Sequence, residues 1–281
     1  MPWTTPSRIA VIGYGAITDE IVRCLEMRGQ LEALACVLVR GGRRNELAQK
    51  AGARFCVVDA LADLLACRPQ IVIEAAGHAA VADFGAAILA SGCDLLPASV
   101  GALADSAIAK SLVTAARAAE LWIASGAVAG IDGLLAARTA GLKSVTYTSL
   151  KGPHAWKGTP AHDLLDESAK ERTKTERVIF FSGSARQAAL EYPQNANVGA
   201  TVALASLGLD RTRVELGSDP NVAGPLGIIE ADGEFGRFRF EALALASPTN
   251  PKTSALTGHS LAAAVCDGMC FRALDMLRTP Q

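Results

Sequence analysis

Ile9-Ala10-Val11-Ile12-Gly13-Tyr14-Gly15-Ala16-Ile17-Thr18 is the stretch from which the fold can be read. A continuous apolar run ends in two glycines, and the residues from Ile17 to Met27 then carry apolar side chains at three- and four-residue spacing. Strand, tight turn and helix in that order suit a dinucleotide. Gly13 permits the turn and Gly15 lets backbone approach a pyrophosphate, which would rest on the amides that open the helix at Ala16 and Ile17. The third glycine position of such turns holds Thr18, whose branched side chain is expected to keep helix and strand slightly further apart. A plain Gly-rich turn is the competing reading, and the surroundings weigh against it.

The same unit recurs downstream. Short apolar runs at Arg8 to Ile12, Leu34 to Val39, Arg54 to Val58, Ile71 to Ala75, Asp94 to Pro97 and Leu121 to Ala124 read as strands buried on both faces. Helix-spaced segments at Ile17 to Met27, Arg44 to Ala51, Ala79 to Ala90 and Asp105 to Ala119 lie between them. The rhythm predicts an α/β fold, a Rossmann doubly wound parallel sheet of six strands. After Gly130 it changes: a helix at Ile131 to Ala140, a strand at Ser144 to Leu150, two helices in Ala185 to Leu209 broken at Pro193, and a hairpin from Gly227 to Leu245 turning at Asp232-Gly233. That half is expected to be a smaller α+β domain with a mixed or antiparallel sheet. The predicted division is 1–124 for the nucleotide-binding domain and 125–251 for the substrate and dimerisation domain. Ser254 to Arg278 reads as one more amphipathic helix, with 252–281 able to pack back onto the first domain.

Composition narrows the function. With 27 Lys plus Arg against 28 Asp plus Glu, the formal charge of −1 offers no basic excess for a nucleic-acid backbone. No run approaches the roughly 20 apolar residues of a membrane span, and Met1 to Ile9 lacks the pattern of a secretion signal, so a cytoplasmic protein is expected. Seven cysteines without a CxxC pair or a histidine at ligand spacing argue for small buried hydrophobes in a reducing compartment, and against a metal site or disulfide framework.

The second strand bears on which dinucleotide binds. An NAD site commonly ends that strand with Asp or Glu, whereas Val39 is followed by Arg40-Gly41-Gly42-Arg43-Arg44. A guanidinium at Arg40 can hold a 2′-phosphate, so NADP is expected to be accepted alongside or ahead of NAD; a solvated basic loop is the other reading. Two small-residue turns close later strands, Ala76-Gly77-His78 after Glu74 and Ser99-Val100-Gly101 after Pro97. Ligands of open α/β sheets bind at such carboxyl ends, so both turns are expected to face the cofactor. His78 is read equally as a cofactor contact or a polar helix start.

Taken in order, Gly13-x-Gly15-Ala16-Ile17, Glu74-Ala-Ala-Gly77-His78, Ser99-Val-Gly101-Ala102-Leu103, Ser125-Gly126-Ala127-Val128, Ala155-Trp156-Lys157-Gly158-Thr159-Pro160, Asn195-Ala-Asn197-Val198 and Asn250-Pro251-Lys252-Thr253-Ser254 resemble the L-aspartate dehydrogenase family across nearly the whole chain. The resemblance implies hydride transfer between a nicotinamide and the α-carbon of L-aspartate or iminosuccinate, with Ala127 and Asn197 at the dinucleotide. It also implies a histidine shortly before Ile229-Glu230-Ala231-Asp232-Gly233, where this chain has Gly227. Glycine cannot exchange a proton, and oxidising an amine requires removing one. His154, beside the Trp156 motif, is the first candidate replacement. Lys252 and Asn197 are candidates to hold substrate, with Lys151, Lys157, Thr253 and Trp156 as further neighbours. Loss of one general base leaves activity reduced by about 10²- to 10⁴-fold, favours reduction of a preformed imine, and predicts that Gly227→His raises turnover on aspartate. The expected partner is a small amino acid or imino acid, in a homodimer. A catalytically silent NAD(P)-binding protein and a reductase of a different imine or carbonyl are the alternatives.

Overall fold

Ile9–Ile12 (β1) is buried along its whole length because strands run on both sides of it and helices cover both faces. The computed structural model describes residues 8–159, 161, 162, 165, 176–193, 196–247 and 250–278, with backbone alone at 246, 247 and 250–253. Beside β1 lie Leu34–Leu38 (β2) and Ile71–Glu74 (β4), and outside them Cys56–Val58 (β3) and Asp94–Pro97 (β5). The order β3-β2-β1-β4-β5 is parallel throughout. Strand order therefore reverses between β1 and β4, which puts the turns that follow these strands at the switch point where such sheets take ligands. The connecting helices are Ala16–Met27 (α1), Arg44–Ala51 (α2), Leu61–Ala66 (α3), His78–Ala90 (α4) and Ser106–Ala115 (α5). The one-turn-and-a-half α3 had no counterpart in the periodicity, and α5 ends four residues before the predicted Ala119.

The sixth predicted strand, Trp122–Ala124 (β6), meets the sheet only through a parallel bridge from Leu121 to Leu95. Its other edge pairs antiparallel with Cys270–Arg272 (β14). Asp94 anchors the segment, accepting from the Glu120 N–H and the Trp122 indole N–H, each at 2.8 Å. The tail is accordingly not one helix. It forms Ala255–Asp267 (α9), β14 and Leu274–Arg278 (α10), because Gly268 takes φ +68° and stops α9. Leu261, Ala264 and Val265 of α9 share one core with Ile21, Val22 and Leu25 of α1. The described residues of Met1–Ala102, Ser106–Gly126 and Thr257–Pro280 make one compact unit, those of Leu103–Asp105 and Ala127–Leu256 the other.

The second unit is built on a mixed sheet ordered β11-β10-β7-β9-β8, comprising Gly236–Leu243 (β11), Leu226–Gly233 (β10), Leu142–Lys151 (β7), Arg213–Ser218 (β9) and Val178–Ser184 (β8). Only β7 and β9 run parallel. Its helices are Ile131–Thr139 (α6), Ala185–Glu191 (α7) and Asn197–Ala205 (α8), the last two separated at Pro193 as predicted. Ser184 and Gln187 form a reciprocal cap that starts α7. The hairpin turns at Glu234-Phe235, two residues later than expected. Asp232 sits within the ladder opposite Arg237 and pairs with it at 3.3 Å, and Gly236, at φ +105°, supplies the positive angle instead. A short ribbon of Ala246–Ser247 (β12) and Asn250–Ser254 (β13) precedes α9.

All seven cysteines are free thiols. Cys24, Cys36 and Cys93 are buried as expected, but Cys56 is exposed and Cys67, Cys266 and Cys270 are half-buried, so the hydrophobe reading holds for only part of the set. Among the described residues no helix is long and apolar enough to cross a membrane.

Candidate functional site

A cleft of about 500 Å³ opens at the switch point of the parallel sheet, floored by Gly13, Tyr14 and Gly15 and walled by Val39, Arg40, Arg43, Asp59, Ala75 and Ala76. Gly13 has φ +92°, and a Cβ there would stand 2.7 Å from the Ala75 carbonyl oxygen. A Cβ on Gly15 would meet nothing within 4 Å. The turn is thus closed against the protein at its first glycine and open toward the cleft at its second. No side chain caps α1, so its first-turn N–H groups at Ala16 and Ile17 remain available to an anion. These features fit a dinucleotide pyrophosphate. Thr18, expected to space helix from strand, also ties them: the residue is fully buried and its hydroxyl donates to the Gly13 carbonyl at 3.0 Å.

Glu74 organises the other side. Its carboxylate is wholly buried at the end of β4 and accepts from the N–H groups of Ala76 at 2.6 Å and Gly77 at 2.7 Å, the Ser99 N–H at 3.1 Å and the Ser99 hydroxyl at 3.2 Å. Burial pushes its pKa up while the four hydrogen bonds pull it down, and burial dominates. One carboxylate therefore holds both small-residue turns. The Ser99 hydroxyl is committed to Glu74, and Val100 and Gly101 are buried in the following turn. Ala76 is exposed and lines the cleft, and His78 is the half-buried first residue of α4. Ser260 of α9 reaches across to the motif after β6, accepting from the Gly126 N–H at 2.8 Å.

Arg40 lines the cleft, and Arg43 joins it, donating to the Tyr14 carbonyl at 3.0 Å. The sequence reading missed Asp59. It follows β3, where no nucleotide signal was sought, yet its carboxylate borders the cleft and lies 3.7 Å from Arg44.

In the second unit, β7 presents Tyr147, Ser149 and Lys151 on one face by strand alternation. Lys151 lies 5.2 Å above the ring of the fully buried Trp156, and burial pulls its pKa down to about 8. It remains mostly an ammonium at neutral pH. Tyr147 is buried beside Gly227, which faces Ser149 across the β7–β10 ladder. Asn197 opens α8 and is half-buried; Ala127 is half-buried ahead of α6. His154 stands exposed on the Pro153–Trp156 turn. The backbone of Lys252 lies in β13, and its side chain lies outside the described residues, as does that of Thr253.

The family described as "Homoserine dehydrogenase, NAD binding domain" matches residues 13–124, and "Aspartate dehydrogenase, C-terminal" matches 132–267. The L-aspartate dehydrogenase of Ruegeria pomeroyi is 43% identical over 260 residues, covering 92% of this chain and 91% of that one. That of Serratia proteamaculans is 39% identical over 272 residues, covering 95% and 97%. A crystal structure of aspartate dehydrogenase from Thermotoga maritima superposes with a TM-score of 0.69 at 21% identity, over 93% of this chain and 96% of that one, a likeness of fold. A dinucleotide cleft at the switch point, joined to sequence identity spanning both units, makes this chain a member of the L-aspartate dehydrogenase family of NAD(P)-dependent oxidoreductases.

Proposed function

We propose that the chain is an NADP-preferring reductase of a 2-imino dicarboxylic acid, forming L-aspartate from iminosuccinate or from oxaloacetate plus ammonia. The observation that carries this reading is Lys151, an ammonium held over Trp156 on the sheet face that also bears Gly227, where it can meet a substrate carboxylate. Asn197 and Lys252 are the further substrate contacts in this reading. The bound nicotinamide supplies the hydride; the chain's part is to hold the acid and manage one proton. NADPH consumption with ammonia and a panel of 2-oxo acids tests it. Oxaloacetate should be reduced fastest, and Lys151→Met should raise KM for oxaloacetate about tenfold or more, as loss of a charge-assisted bond implies. Equal or faster reduction of monocarboxylic 2-oxo acids would reject the dicarboxylate assignment.

The coenzyme preference rests on Arg40 and Arg43, which both border the cleft, while of its two lining carboxylates, Asp59 and Asp83, Asp59 lies 3.7 Å from Arg44. NADPH should bind about tenfold or more tighter than NADH, and Arg40→Ala with Arg43→Ala should erase the difference. A preference for NADH that survives Arg40→Ala contradicts this. Gly227 favours a second reading, a coenzyme-binding protein without turnover, which silence across the whole panel together with tight NADPH binding would support.

A further inference from the structure

Tyr147 and Gly227 are fitted to each other. A Cβ built on Gly227 would stand 3.1 Å from the Tyr147 hydroxyl and 3.2 Å from its Cε2, so the phenol fills the space into which any side chain at 227 would project. Ser149 lies directly opposite Gly227 in the ladder and on the same strand face as Tyr147, close enough for its hydroxyl to temper the rise in the phenol's pKa. On the other side of the ring, a Cβ on Gly199 of α8 would come within 3.5 Å of Tyr147 Cδ1, so the helix lies close enough to keep the ring in place.

The surroundings make two hydroxyls costly to place here. Strand pairing puts Val214 and Leu216 of β9 and Ile229 of β10 beside them, all buried and apolar. Tyr147 and Ser149 are themselves only 4% and 5% exposed. A phenylalanine and an alanine would pack this face without polar groups to satisfy. The polar pair runs along the strand toward Lys151.

We propose that the Tyr147 hydroxyl, which takes the place of a side chain at Gly227 with Ser149 on the same face, donates the proton that a bound imine nitrogen takes up when its carbon is reduced. The inference rests on the reductase reading above. In the step, the substrate carbon receives hydride, the C=N π pair moves to nitrogen and bonds the phenol's proton, and the phenolate regains a proton from solvent. Burial pushes the Tyr147 pKa up to about 12, so the group carries its proton at neutral pH. That direction agrees with reduction, where a proton is consumed. His154, exposed on its turn, has no place in this row.

Tyr147→Phe keeps the ring and removes the hydroxyl. With saturating NADPH and ammonia, kcat on oxaloacetate should fall about 100-fold or more, KM should change less than about threefold, and Ser149→Ala should produce a smaller loss of the same kind. A second readout needs no turnover. The chain has three tyrosines, Tyr14, Tyr147 and Tyr192, which isotope labelling at the ring Cζ makes visible by NMR. Malonate, a non-reacting dicarboxylate, should shift the Tyr147 signal, assigned through Tyr147→Phe, and leave the other two unmoved. Retention of more than about a third of kcat in Tyr147→Phe overturns the proposal. In a chain without turnover, a Tyr147 signal unmoved by malonate overturns it as well. The reductase reading fails by a different result: wild-type protein that binds NADPH and reduces no 2-oxo acid, whatever malonate does to Tyr147.

Discussion

Alanine at Gly13 should raise the NADPH dissociation constant about 100-fold or more, equivalent to about 2.7 kcal/mol, and lower the melting temperature as well. The added methyl group meets backbone on one side, 2.7 Å from the Ala75 carbonyl oxygen, and 2.9 Å from the Ala76 Cβ. Neither neighbour can step aside. The Ala75 N–H donates to the Ile12 carbonyl at 2.8 Å, and the Ala76 N–H is held by Glu74. Gly13 itself donates to the Leu38 carbonyl at 2.8 Å, and its φ of +92° is strained for any residue with a Cβ. The turn must therefore reshape, breaking the Thr18–Gly13 bond and swinging the open end of α1 away from the phosphate position. Gly15→Ala separates the two effects. Its Cβ enters open space at φ −144°, so the melting temperature should hold while coenzyme binding weakens because the methyl occupies the pyrophosphate's approach. Fluorescence titration with NADPH and a thermal melt of both variants check this; a Gly13→Ala protein with unaltered affinity would contradict the cleft assignment.

Glu74→Ala should be the most destabilising of the substitutions considered, costing about 4 kcal/mol in denaturant unfolding. The carboxylate is the acceptor for three backbone N–H groups and one hydroxyl, and its removal orphans the donors at Ala76, Gly77 and Ser99 together. Each buried unpaired donor costs about 1–3 kcal/mol. Glu74→Gln keeps one acceptor oxygen for Ala76 and Gly77 but turns an amide against the Ser99 N–H, so an intermediate loss is expected. Because one of the two turns that it joins lines the cleft through Ala76, NADPH affinity should fall in step with stability in the two variants. An unchanged unfolding midpoint in Glu74→Ala would show that these turns hold without it.

The parallel half was legible because its strands are buried on both faces, leaving apolar runs that glycine punctuates cleanly, as at Val11-Ile12-Gly13. What escaped depends on pairing across distance. Glu74 looked like one more turn residue, since its four donors come from two separate loops. Asp59 reaches the cleft from the neighbouring strand, beyond any local motif. In β8, most side chains are only half-buried and the run Ile179-Phe180-Phe181-Ser182-Gly183 shows no clean alternation, so the strand declared itself only through β9. The Asp232-Gly233 pair carried a real turn signal that a better one overrode, Gly236 closing a two-residue loop after Asp232 had paired with Arg237. Tyr147 read as part of an alternating strand; its nearness to Gly227 is a property of the β7–β10 register.

The core under α1 is completed by Leu261, Ala264 and Val265, more than two hundred residues downstream. On the ribosome, then, the residues that cradle the coenzyme emerge before the second unit, yet their core waits for residues translated after it. The whole intervening unit must be made before that moment. Newly made chains must keep that half-finished apolar surface from sticking to others for as long as translation lasts, and a stop codon placed before α9 would release them in that condition permanently.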